Sequence, residues 1–128
     1  MNLLEKIRET SEFLKGKTAN RPKIAIVLGT GLGSFAKKIE VEDEIPYGEI
    51  PNFKTSTVQG HSGKLIFGKL EGVEVMAMQG RLHYYEGYTM QEAVTPVCVM
   101  KLLGAQALVL TNACGGINPS FNAGDLMI

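Results

Sequence analysis

Apolar positions along this 128-residue chain follow two different periods. Leu3, Leu4, Ile7 and Leu14 recur at helical spacing, and Asn2 with Glu5 has the form of a capping box. Together they predict an amphipathic helix from Asn2 to about Lys15. A polar break from Gly16 to Pro22 leads into Ile24-Ala25-Ile26-Val27-Leu28, a continuous apolar run of the kind that forms a strand buried on both faces. Ser34 to Ile39 reads as a short helix. Acids and two prolines between Val41 and Pro51 predict irregular or edge structure. Lys64–Leu70 and Val73–Gln79 flank Glu71-Gly72, the pattern of a hairpin with a two-residue turn.

Thr89 with Glu92 is a second capping box, and the apolar pattern then runs to Leu103, with Gly104 suited to the helix C-terminus. Pro96 predicts a kink inside that helix. Ala107 to Thr111 reads as another buried strand, and Asp125-Leu126-Met127-Ile128 as the start of one more. The expected organisation is therefore the N-terminal part, residues 1–128, of a larger single domain whose C-terminal half is absent.

Composition narrows the function classes. Hydrophobic residues make up 45% of the chain, enough for a core, and 13 basic residues balance 13 acidic ones. That neutrality supplies no long-range field for nucleic acid or an anionic membrane, so neither is expected as a partner. No apolar run approaches the roughly 20 residues of a membrane helix, and no secretory signal opens the chain. Cys98 and Cys114 fit no CxxC or disulfide spacing, which points to a reducing, cytoplasmic setting. Two cysteines and two histidines, scattered along the chain, predict no metal site. Cys114 has no basic neighbour and reads as a small buried residue, while Met76 and Met78 read as core.

Candidate chemistry lies in three glycine-bearing loops, each after an expected strand: Gly29–Gly33, Gly80–Gly87 and Ala113–Gly116. In parallel α/β sheets such loops present free backbone donors beyond the strand ends, where anions collect. Arg81 is one of three arginines and the one that lies inside a motif; its planar fork suits an oxyanion. Residues 81, 83 and 85 alternate, so an extended segment would send Arg81, His83 and Tyr85 to one face. Thr30 adds a hydroxyl to the first loop. His61 sits in the glycine-flanked Gln59-Gly60-His61-Ser62-Gly63 segment, where a loop can close over a ligand. Each has a plain structural alternative: a surface arginine, a satisfied histidine, a turn histidine, and an Asn112 that only braces its own loop.

Pro51-Asn52-Phe53, Ser56-Thr57-Val58, Gly60-His61, Met78-Gln79-Gly80-Arg81, His83 and Tyr85-Glu86-Gly87-Tyr88 together resemble the purine nucleoside phosphorylases of the trimeric type. Thr111-Asn112-Ala113-Cys114-Gly115-Gly116-Ile117-Asn118-Pro119 and Gly124-Asp125 continue the resemblance in collinear order. It implies a truncated α/β domain of the nucleoside phosphorylase type, three layers (α/β/α) around a central mixed sheet. It implies phosphate binding by Thr30, Arg81, His83 and the backbone of Ala113, a lid over the phosphate carrying His61, and ribose contact by Tyr85. Glu86 and Asn112 would support these groups from behind. The implied reaction is reversible phosphorolysis of a purine nucleoside to free base and ribose 1-phosphate, with inorganic phosphate as substrate, no cofactor and a homotrimeric complete protein.

Two departures qualify the resemblance. Thr30 stands where the family usually has serine, a feature reminiscent of methylthioadenosine phosphorylases. The family's base-reading Glu and Asn, and its Met and His at the ribose, belong to a C-terminal half beyond these 128 residues, so the chain alone is expected to be inactive. A non-catalytic phosphate or nucleoside binder is the competing reading. A dinucleotide-binding oxidoreductase is disfavoured by Ser34, where the fingerprint needs glycine. A nucleosidase that uses water in place of phosphate is the nearest enzymatic relative.

Overall fold

In a computed structural model the described residues are 1–55 and 63–128. Helix α1 (Leu3–Lys17) starts at the expected cap: Asn2 Oδ1 accepts from the Glu5 N–H at 2.9 Å, and the Asn2 N–H donates to Glu5 at 2.7 Å. Arg21 Nη1 then donates to the carbonyls of Thr18 and Asn20, at 2.7 and 2.8 Å, and fastens the turn that follows.

Among the described residues, five strands form one mixed sheet: β1 (Ile24–Leu28), β2 (Glu40–Pro46), β3 (Lys64–Leu70), β4 (Val73–Gln79) and β5 (Ala107–Leu110). Their spatial order is β2-β3-β4-β1-β5. β1 pairs in parallel with β4 on one side and β5 on the other, while β2, β3 and β4 form an antiparallel meander. Glu71 and Gly72 close the β3–β4 hairpin with φ of 50° and 78°. Positive φ at both central positions matches the right-handed twist of the flanking strands.

The apolar runs alternate across the sheet. Ala25, Val27, Leu65, Phe67, Met76 and Met78 face one side, where they meet Ile7 and Leu14 of α1 and Val99 and Met100 of helix α2 (Met90–Leu102). Ile26, Leu28, Ile66, Val75 and Ala77 face the other, against Ala36 and Ile39 around the 3₁₀ segment Gly33–Lys38. Burial on both faces is the reason these strands carry no polar alternation. Met76 and Met78 are core residues as expected.

β2 is the edge strand foreseen between Val41 and Pro51. Glu40, Glu42, Asp43 and Glu44 line it, its register shifts between Val41 and Asp43, and charge plus irregularity discourages edge-to-edge pairing. Helix α2 begins at the predicted box, with Thr89 Oγ1 accepting from Glu92 N–H and Glu92 accepting from Thr89 N–H at 2.8 Å. It continues through Pro96 to Leu102 as one element, so the proline does not divide it.

Two expectations are corrected. β5 was read as a buried strand, yet all four of its residues are exposed, Leu110 at 64%. Among the described residues it pairs with β1 alone and lies at the margin of the sheet. The segment Asp125–Ile128 forms no strand, because no described strand offers it a ladder; Leu126 and Ile128 are fully solvated.

The α2 cap gives a test. Hydrogen bonds from Thr89 hold the Glu92 carboxyl below its ordinary range. A group with a depressed folded value contributes stability above its unfolded value and loses it on acidification through the folded one. Urea unfolding of Glu92→Gln should therefore show a shallower loss of stability on acidification than wild type. Thr89→Ala should lower stability at neutral pH by about 1 kcal/mol.

Candidate functional site

Parallel pairing determines where the glycine loops go. β4, β1 and β5 are neighbours running the same way, and their C-terminal ends are level: Leu28 pairs with Gln79, and Val27 with Leu110. The loops after them emerge side by side, at strand spacings of about 4.8 Å.

Thr111, the first residue beyond β5, joins all three. Its N–H and its hydroxyl both donate to the Val27 carbonyl, at 3.1 and 2.9 Å. Its hydroxyl oxygen accepts from the Gly29 N–H at 2.8 Å. Its carbonyl accepts from Arg81 Nη1 at 2.9 Å. The approach of the first and third loops is so close that a Cβ on Gly29 would lie 2.5 Å from the Thr111 carbonyl oxygen. Only glycine fits there.

Arg81 is half-buried. Its single hydrogen bond to a described residue goes to that neutral carbonyl, and no carboxylate among the described residues pairs with it. A half-buried guanidinium engaged by one such bond retains N–H donors to spare. On its N-terminal side Gly80, at φ 91°, turns the chain out of β4. The buried Tyr47 hydroxyl donates to the Gly80 carbonyl at 2.7 Å, and burial pushes that phenol far above its ordinary range, so it stays a donor. Tyr47 also packs on Gly63, where a Cβ would overlap its ring.

The expected extended alternation over residues 81, 83 and 85 is replaced by a short 3₁₀ turn, Tyr84–Glu86, closed by Gly87 at φ 93°. The Glu86 carboxylate causes the change: it accepts from the His83 N–H at 2.7 Å and lies 3.2 Å from His83 Nδ1. The turn nevertheless stacks His83 on Tyr85, with ring centroids 4.9 Å apart and planes 21° from parallel. Tyr85 is 81% exposed.

Thr30 is exposed on the turn after β1, directly beyond the Gly29 anchored by Thr111. Asn112 and Ala113 are exposed immediately after Thr111. Cys114, read as buried, is exposed as well, since it follows the marginal strand β5 into a loop. His61 lies outside the described residues. Among the described residues no group of three His, Cys, Asp or Glu side chains is placed to hold a metal, and no helix is long and apolar enough to cross a membrane. Sequence reasoning passed over Thr111 and Tyr47 as working parts. The available signal for Thr111 was a hydroxyl residue ending an apolar strand just before a glycine loop.

Residues 23–128 match the phosphorylase superfamily. The chain belongs to that family. Purine nucleoside phosphorylase 1 of Geobacillus stearothermophilus is 53% identical over 122 residues, which is 95% of this chain and 44% of that protein. The purine nucleoside phosphorylase of Rattus norvegicus is 48% identical over 124 residues, 97% of this chain and 43% of that protein. Among solved structures, isoform 2 of purine nucleoside phosphorylase from Schistosoma mansoni, in complex with cytosine and ribose-1-phosphate, superposes with a TM-score of 0.88 at 45% identity. That match covers 94% of this chain and 42% of the other. The chain thus spans less than half the length of each of these relatives.

Gly29→Ala tests the junction. The added methyl must push the Thr111 backbone away, separating β5 from β1, and urea unfolding should show a loss of about 1–3 kcal/mol. Gly31→Ala, with open space around its Cβ position but φ of 88°, should lose about 1 kcal/mol from backbone strain alone.

Proposed function

We propose that this chain carries the phosphate-binding portion of a purine nucleoside phosphorylase, which cleaves purine nucleosides reversibly to free base and ribose 1-phosphate (or the deoxyribose equivalents). The observation that carries the reading is the half-buried Arg81, without a carboxylate partner among the described residues, at the meeting point of three glycine loops. The purine nucleoside phosphorylases matched over nearly the whole chain supply the reaction class.

In this reading inorganic phosphate sits over the ends of β1, β4 and β5. Arg81 supplies the charged donors, Thr30 a hydroxyl and Ala113 its backbone N–H. With Nδ1 engaged by Glu86, His83 has Nε2 left for the anion. The Glu86 carboxylate fixes the imidazole through its contact with Nδ1. Tyr85, stacked on that imidazole, offers an exposed aromatic face for the ribose. His61 belongs to the segment that would cover the phosphate, and Asn112 braces the third loop.

Cleavage of the glycosidic bond leaves positive charge on the sugar. A phosphate held beneath it stabilises that charge and then attacks the anomeric carbon, so the site's task is to hold and orient that anion. Phosphate is a substrate, and the reaction calls for no cofactor. We extend the reading to a homotrimeric cytoplasmic enzyme of purine salvage in the complete protein, with the purine-reading groups supplied by the portion of the relatives that this chain does not span.

Phosphate titration followed by ³¹P NMR tests the reading. Wild type should bind inorganic phosphate, and Arg81→Ala should weaken binding by about 10- to 100-fold, as loss of charge-assisted hydrogen bonds does. The chain by itself should not release hypoxanthine from inosine and phosphate. Robust turnover would refute the division of the site, and equal phosphate affinity of wild type and Arg81→Ala would refute the anion site itself.

A further inference from the structure

Resting on the phosphate-site reading, we infer that Thr111 is a positioning residue: its side-chain hydroxyl sets the place of Arg81, and through Arg81 the affinity for the anion, without touching the anion itself. The hydroxyl uses its one donor and one of its acceptor positions. It accepts the Gly29 N–H at 2.8 Å and donates to the Val27 carbonyl at 2.9 Å, so its rotamer is fixed from two sides by β1 and the turn after it. The Thr111 N–H bonds the same Val27 carbonyl at 3.1 Å. With side chain and amide both tied to β1, the Thr111 carbonyl is held in one orientation.

Arg81 Nη1 is anchored to that carbonyl at 2.9 Å. A guanidinium on three flexible methylenes is located by what it bonds, and no described carboxylate competes for this one. The hydroxyl clasp ties the start of the third loop to β1 and to the turn after it. Loss of the hydroxyl would free the Gly29 N–H, loosen the end of β5 and let the Arg81 anchor drift. A drift of about 1 Å is enough to spoil a site that works by orientation.

A double-mutant cycle with inorganic phosphate as probe tests this. Thr111→Val, which keeps the shape and removes the hydroxyl, should weaken phosphate binding by about tenfold or more. Thr111→Ser, which keeps the hydroxyl, should stay within about twofold of wild type on the same scale. In an Arg81→Ala background Thr111→Val should have almost no further effect, because residues that act through one contact are not additive. A purely structural threonine would instead give additive losses, and that result would overturn the inference. So would an unchanged affinity in Thr111→Val while Arg81→Ala is impaired, which leaves the phosphate site standing and removes only the positioning role. Failure of wild type to bind phosphate would overturn the site and this inference together. If Thr111→Val does not fold, amide exchange in wild type decides: phosphate should slow exchange of the Gly29 N–H, and an unaltered rate would count against the coupling.

Discussion

Parallel pairing of β1 with both of its neighbours is the constraint on which the site depends. A parallel pair brings like ends of two strands to one edge, and a central strand with two parallel partners brings three. Loops that lie far apart in sequence, after residues 28, 79 and 110, thereby become neighbours. Nothing in any one loop makes it a binding site. Gly29–Gly33 alone is a tight turn, and Arg81 alone is a surface charge. Their adjacency brings the loops that carry Thr30, Arg81 and Ala113 to one edge of the sheet.

That arrangement has to be held at atomic spacing, and the chain uses small devices for it. Thr111 ties the third loop to the first and offers its carbonyl to the second. Tyr47 reaches from beyond the edge strand β2 to the Gly80 carbonyl, so the residue before Arg81 is fixed from the opposite side. Glu86 holds His83 by backbone and ring together. Arg81 lies between Gly80 and Leu82, with its flanking backbone and its side chain each anchored by a separate group. Flexibility from glycine and rigidity from buried hydroxyls are combined within a few residues.

The sheet is unequally supported. β3, β4 and β1 are packed on both faces, with Phe67 and Met76 fully enclosed, whereas within these 128 residues β5 and the segment after Thr111 are exposed. The three glycine loops straddle this boundary: two grow from the packed strands and one from the margin. Within these 128 residues the β1–β5 seam carries the Thr111 hydrogen bonds to Val27 and Gly29. The same boundary explains two misplaced expectations, the buried β5 and the buried Cys114, since an apolar run predicts that a strand wants cover without showing that cover is present.

The sequence by itself determined the local elements. Both helix caps, the hairpin with its Glu71-Gly72 turn, the doubly buried strand at Ile24–Leu28 and the charged edge after Ile39 depend on neighbours in the chain, and local rules reach them. The family motifs, too, were legible as strings of residues. Tertiary structure alone decided that β5 lies beside β1, that Arg81 finds the Thr111 carbonyl 30 residues away, and that a 3₁₀ turn brings His83 onto Tyr85. Those contacts follow from strand order and from competition between nearby polar groups. Periodicity along one segment carries no information about either.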